Sequence, residues 1–108
     1  MTCNPLCTQT VTVYSAADQG ITRRVIRGCF YHYQRQTDPE GLEKTTFLLV
    51  LPAGETVLPG DRIYDGIGPE QVVWEQFLPV NTVGLSQVEY VTPYYFQGRL
   101  HHTEAGRK

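Results

Sequence analysis

The chain has little that would tie it to a charged partner, a membrane or a cofactor. Nine basic against eleven acidic side chains leave a net charge of −2, so no whole-molecule field draws it to nucleic acid or an anionic surface, and sequence-specific nucleic-acid binding is not expected. No apolar run approaches the ~20 residues of a membrane span. Met1-Thr2-Cys3-Asn4-Pro5 lacks the basic and apolar regions of a signal peptide. Together these predict a chain made and kept in a cytosol-like compartment, with no membrane partner. Cysteine is scarce, and an odd count of three reads as free thiols and not as a disulfide framework. Neither the C-x3-C pair Cys3 and Cys7 nor Cys29-x2-His32 has the tight paired spacing of a structural zinc site. In a strand, residues three apart point to opposite faces, and the adjacent His101 and His102 diverge in the same way. No metal and no cofactor is expected.

Catalytic signatures are missing too: there is no Gly-rich phosphate loop, H-E-x-x-H or G-x-S-x-G. The carboxylates to weigh are Asp61, Asp65, Glu70 and Glu75; Asp61 and Asp65, four apart in a predicted strand, share a face but read as turn formers and solvated ends. Cys29 reads as a small buried apolar residue, because free cysteine is among the most buried types. The expectation is a protein that is not an enzyme.

What is present is β-strand punctuation. Thr8 to Tyr14 alternates β-branched residues and predicts a first strand. A second, long strand runs from about Thr22 to Arg35, with Val25, Cys29, Tyr31 and Tyr33 on one alternating set and Ile26 and Phe30 on the other. A bulge at Gly28 would shift the phase and bend the strand, a device for turning a barrel corner. Lys44 to Leu51 is a third strand, apolar on both faces, so something must cover its second face. The central stretch Val57-Leu-Pro-Gly-Asp-Arg-Ile-Tyr-Asp-Gly66 reads as a Pro59-Gly60 turn feeding a short strand. Pro69 to Leu78 reads as a short helix that covers the third strand, with Val-Val-Trp equally acceptable in a strand. Leu85 to Thr92 is the last regular strand. The fold class is therefore all-β: a small antiparallel barrel or sandwich of one domain, residues 1–108. It comprises an N-terminal arm at 1–7, the barrel at 8–92 and a C-terminal extension at 93–108. The expected core includes Val11, Val13, Ile26, Phe30, Phe47, Leu49 and Ile63.

The order Thr-Val-Thr-Val-Tyr, polar loop, Arg-Arg-Val-Ile-Arg-Gly-Cys-Phe-Tyr, loop, Thr-Thr-Phe-Leu-Leu-Val-Leu-Pro, then Val-Leu-Pro-Gly-Asp-Arg-Ile-Tyr-Asp-Gly resembles the small minor capsid or head-tail connector proteins of tailed phages and prophages. The likeness is strongest to those of Firmicutes prophages, whose chains tend to end in a polar, His-containing tail. The head-closure (head-tail joining) family has the same layout, from which residues 67–84 and the long C-terminal extension depart. The resemblance implies a structural virion protein, present as one copy in a homo-oligomeric ring between the portal or adaptor and the tail-terminator protein. It would be made in the bacterial host cytoplasm and carried into the neck of the virion. Whether the position is head closure or minor capsid stays open.

The extension has sticky aromatics but no packed core of its own, so it suits ordering on a neighbour by adding a strand to a sheet edge. Tyr94, Tyr95, Phe96, Arg99, His101, His102, Arg107 and Lys108 are the candidate interaction residues. The competing reading makes Tyr94 to Leu100 a last strand of the same barrel and leaves only the final eight residues loose. A non-catalytic module that binds peptide or glycan through exposed aromatics is the alternative function, and a small enzyme ranks behind both.

Overall fold

The computed structural model describes residues 8–107. Within these residues, seven strands lie in one antiparallel sheet: β1 Gln9–Ala17, β2 Gly20–Thr37, β3 Glu43–Leu51, β4 Arg62–Asp65, β5 Leu85–Gln87, β6 Tyr90–Phe96 and β7 Arg99–Arg107. Their order across the sheet is β5-β4-β1-β2-β3-β7-β6. The all-β expectation holds, and the described residues contain no helix. The sheet is not closed into a barrel. Its two edges, β5 and β6, are consecutive in the chain, and the run through Val88 and Glu89 carries the backbone from one half of the sheet to the other.

The sheet folds on itself at β2. Residues 20–29 of that strand pair with β1, and residues 30–37 pair with β3. Between the halves the register slips, Gln9 lying opposite Cys29 and Thr10 opposite Arg27, so that Gly28 is the extra residue of a bulge. Its φ of 79° is a conformation that glycine takes without a side-chain penalty. The slip switches the inward set from Ile26 to Cys29 and Tyr31, all buried. Phe30 therefore points outward and is only half-buried, which removes it from the expected core. The other expected members, Val11, Val13, Ile26, Phe47, Leu49 and Ile63, pack together between the halves with Leu51, Val57, Val88 and Ala105.

The Pro59-Gly60 corner forms as read. Gly60 has φ 95°, the Asp61 amide donates to the Leu58 carbonyl at 3.0 Å, and the Asp61 carboxylate accepts the Leu58 amide at 2.9 Å. The corner is tied to the crossover, since the Gly60 amide donates to the Val88 carbonyl and the Val88 amide to the Asp61 carbonyl, both at 2.8 Å.

Two expectations need correction. Residues 69–78 are not a helix. They are an irregular segment with one turn at 74–76, and they cover β1 and β4 instead of β3. The reason is Arg62, whose Nη1 donates to the carbonyls of Trp74 and Phe77 at 2.6 and 2.7 Å while its guanidinium lies 3.7 Å above the Trp74 ring. Backbone oxygens that a continuing helix would use are taken by a side chain. The outward residues of β3, Leu48 and Val50, are left half-buried.

Residues 93–107 are not a tail. Pro93 lies inside β6, on an edge of the sheet where a missing donor is tolerated. Gln97 and Gly98, with φ of 51° and 79°, make a two-residue turn of the kind that reverses a hairpin, and β7 then inserts between β3 and β6. Thr103 and Ala105 of β7 are fully buried. Gly106 is required here because a Cβ would run into the Phe47 carbonyl and the Tyr90 hydroxyl. The N-terminal arm at 1–7, with Cys3 and Cys7, lies outside the described residues, as does Lys108.

Candidate interaction surface at the open end of the sandwich

The long segment 66–84 departs most from a minimal sandwich, and polar groups on the outer face of β1 and β2 hold its start. Thr12 Oγ1 donates to the Gly66 carbonyl at 2.7 Å and accepts the Gly68 amide at 2.9 Å. The Tyr14 hydroxyl donates to the Pro69 carbonyl at 2.6 Å, and Arg23 donates to the carbonyls of Gly68 and Pro69. Further along, Phe77 meets the Tyr14 ring edge-on at 4.7 Å, with Leu85 completing a second buried cluster. Burial lowers the pKa of the Arg62 guanidinium from its usual value, and the nearby Glu75 carboxylate opposes that shift.

Bracing of this kind presents the end of the segment, Pro79 to Gly84, in a fixed place. Val80 and Val83 there are 85% and 95% exposed. They stand beside a cleft made of two adjoining hollows of about 370 and about 350 Å³ that share Tyr33, Arg35, Pro79, Val80 and Leu85. The cleft continues the inter-sheet core outward. Its floor is a buried hydrogen bond between the Tyr31 and Ser86 hydroxyls at 2.7 Å, and beyond it Tyr33 and Arg35 follow Tyr31 at alternate positions of β2. Desolvation raises the pKa of the Tyr31 phenol, while its bond to Ser86 works the other way. Arg107 closes one side, 3.8 Å from Glu89, and Asp65 lies at the other.

Next to the cleft the β2–β3 hairpin projects as a two-stranded ribbon. Among the described residues, strand β7 accompanies β3 from Phe47 to Leu51, and the pairs from Gln34–Thr46 to Thr37–Glu43 have no third strand beside them. Residues 32–42 are exposed. The tip is nevertheless rigid: Asp38 Oδ1 accepts the amides of Glu40 and Leu42 at 2.9 and 2.8 Å, while the Asp38 amide donates to the Leu42 carbonyl at 2.9 Å. Leu42 is held out at 65% exposure.

The candidate residues chosen from sequence do not converge. Tyr94 and His102 stack at 4.9 Å on the outer face, and His102 Nε2 is 3.1 Å from Glu104 Oε2. Tyr95 and Arg99 are exposed beside the β6–β7 turn. The backbones of Phe96 and His101 lie in β6 and β7. Among the described candidates, Arg107, at the far end of β7, is the one that lines the cleft. Sequence reasoning missed Val80, Val83, Arg35 and Leu42. The available signal was an apolar Val-Asn-Thr-Val in a turn and the alternation of Tyr31, Tyr33 and Arg35 past the bulge. Cys29 is buried, its thiol pushed up to about 11 by desolvation with Glu55 adding to the shift, and His32 is exposed, stacked at 6.5 Å on Phe30. Among the described residues, no group of three His, Cys, Asp or Glu side chains is placed to hold a metal ion, and no helix is long and apolar enough to cross a membrane. Comparison of the chain with family models, curated proteins and solved structures returns no match.

Proposed function

We propose that the protein is a non-catalytic structural subunit of a tailed phage or prophage, a head-closure or minor capsid component that assembles as a ring between portal and tail. The observation that carries the reading is that three strongly exposed apolar side chains stand on braced backbone. Leu42 sits on a tip closed by Asp38, and Val80 and Val83 end a segment whose course is fixed by Arg62, Thr12, Tyr14 and Arg23. Apolar groups presented rigidly suit a protein–protein contact, because little ordering entropy remains to be lost on binding. The groups that would have to do chemistry are otherwise engaged. The Asp61 carboxylate holds its own turn and the Cys29 thiol is buried and protonated.

The test is whether portal and tail genes flank its own and, with them, co-expression of the three proteins followed by electron microscopy of the purified complex. Incorporation in a ring at the neck is expected, and a chain that binds neither neighbour, or that lies in a metabolic operon, refutes the reading. The cleft favours a second reading, a peptide- or glycan-binding module that uses Tyr33. A dissociation constant tighter than about 1 mM for such a ligand would support it.

A further inference from the structure

The ribbon tip and the cleft carry complementary groups. A two-stranded hairpin is marginal in water on its own, yet this one carries a tip closed by four hydrogen bonds around Asp38. At that tip stand one exposed leucine, Leu42, and the exposed Glu40. The cleft offers an apolar wall of Pro79, Val80 and Tyr33 with Arg35 and Arg107 along it, and Asp65 at its far side. We infer that the hairpin tip of one copy seats in the cleft of a second copy, Leu42 against Val80 and Tyr33 and the Glu40 carboxylate toward Arg35 and Arg107.

Tip and cleft are different patches of one chain, so each copy offers both and the contact is heterologous, the type that builds rings. The inference rests on the assembly reading and deepens it by naming the contact. Seating Leu42 removes apolar surface from water on both partners, and the charge pair fixes which way the tip enters.

Sedimentation velocity over a concentration series up to about 1 mM reads the self-association directly. Wild-type chain is expected to associate. Leu42→Asp and Val80→Asp, both at exposed positions that leave the core untouched, are expected to weaken association about tenfold or more. Glu40→Lys should weaken it as well, and mixing that chain with an Arg107→Glu chain should recover part of the loss. The contact itself is read by cross-linking in a Cys3→Ser, Cys7→Ser background, with the buried Cys29 kept. A Leu42→Cys chain mixed with a Val80→Cys chain should give the mixed disulfide under mild oxidation.

Homodisulfides in place of the mixed one, association indifferent to both Asp variants, or a cleft that takes peptide while the chain stays monomeric would each overturn the inference. A chain that is monomeric at about 1 mM yet enters portal–tail rings overturns this contact alone, whereas one that neither associates nor enters rings removes the assembly reading with it.

Discussion

Removing the Arg62 guanidinium should detach the segment it holds, and the size of the effect can be worked out from its partners. Its Nη1 donates to two carbonyls, one of them in a buried bond, and a hydrogen bond to a charged group contributes roughly 1.5–3 kcal/mol. Stacking on Trp74 adds about 1 kcal/mol in this partly dry setting. Against these stands the buried Nε, which has no partner and costs on the order of 1–2 kcal/mol. Arg62→Ala should therefore destabilise the fold by roughly 2–6 kcal/mol. Arg62→Lys should recover only a minor part, because an ammonium cannot both lie flat on the indole and fork to two oxygens. Trp74 is the only tryptophan of the chain, so its emission reports on this segment alone. In urea unfolding, the alanine variant should show red-shifted native emission and a tryptophan transition that precedes the loss of β-sheet circular dichroism. Unchanged emission together with a stability within about 0.5 kcal/mol of wild type would refute the idea that this side chain organises residues 66–84.

Deleting residues 99–108 removes β7 from between β3 and β6, together with the buried Thr103 and Ala105; the truncated chain should fail to fold, and a cooperative unfolding transition near that of the full chain would contradict this. Phe47→Ala empties a buried site between the halves of the sheet and should cost roughly 3–5 kcal/mol by chemical denaturation, a loss below about 1 kcal/mol counting against the packing described. Burial raises Cys29 from near 9 to about 11, and raises Tyr14 and Tyr31 in the same direction, so the folded state holds protons that the unfolded chain releases first. Stability from Cys29 is complete below about pH 9 and is lost as pH climbs through about 11, with the two tyrosines acting in the same direction, which melting temperatures across that range will show. Iodoacetamide at about pH 8 should leave Cys29 unmodified until denaturant is added.

Strands β1 and β3, the Pro59-Gly60 turn and the bulge at Gly28 were legible because each is written locally, in alternation or in a residue that a backbone angle demands. The failures share one cause, since they depend on groups distant in sequence. Nothing in Pro69 to Leu78 says that its carbonyls will be taken by Arg62, and helix and irregular segment look alike without that knowledge. Thr103, Glu104, Ala105 and Gly106 do not look like a central strand. Ala105 and Gly106 are small because their neighbours are large: Ala105 lies opposite Leu49 and Val91, and Gly106 opposite Tyr90. The cleft was illegible for the same reason. Tyr33, Val80 and Arg107 come from three separate parts of the chain, and the strands that frame it range from β2 to β7.

The place of β7 also sets the order in which the molecule can be made. Leu48 pairs with Gly106, so β3 waits for a partner that the ribosome adds 58 residues later. Until then its edge is bare and the inward side chains Phe47, Leu49 and Leu51 lack half their cover, while β1 and β2 can already pair as a hairpin. Folding that must wait for so distant a partner belongs to the slow regime, on the order of milliseconds to seconds. A nascent chain paused before residue 99 offers an open β3 to any other strand nearby. Abundant production of the protein thus depends on how quickly synthesis passes that point, and stalling there should convert soluble chains into aggregates.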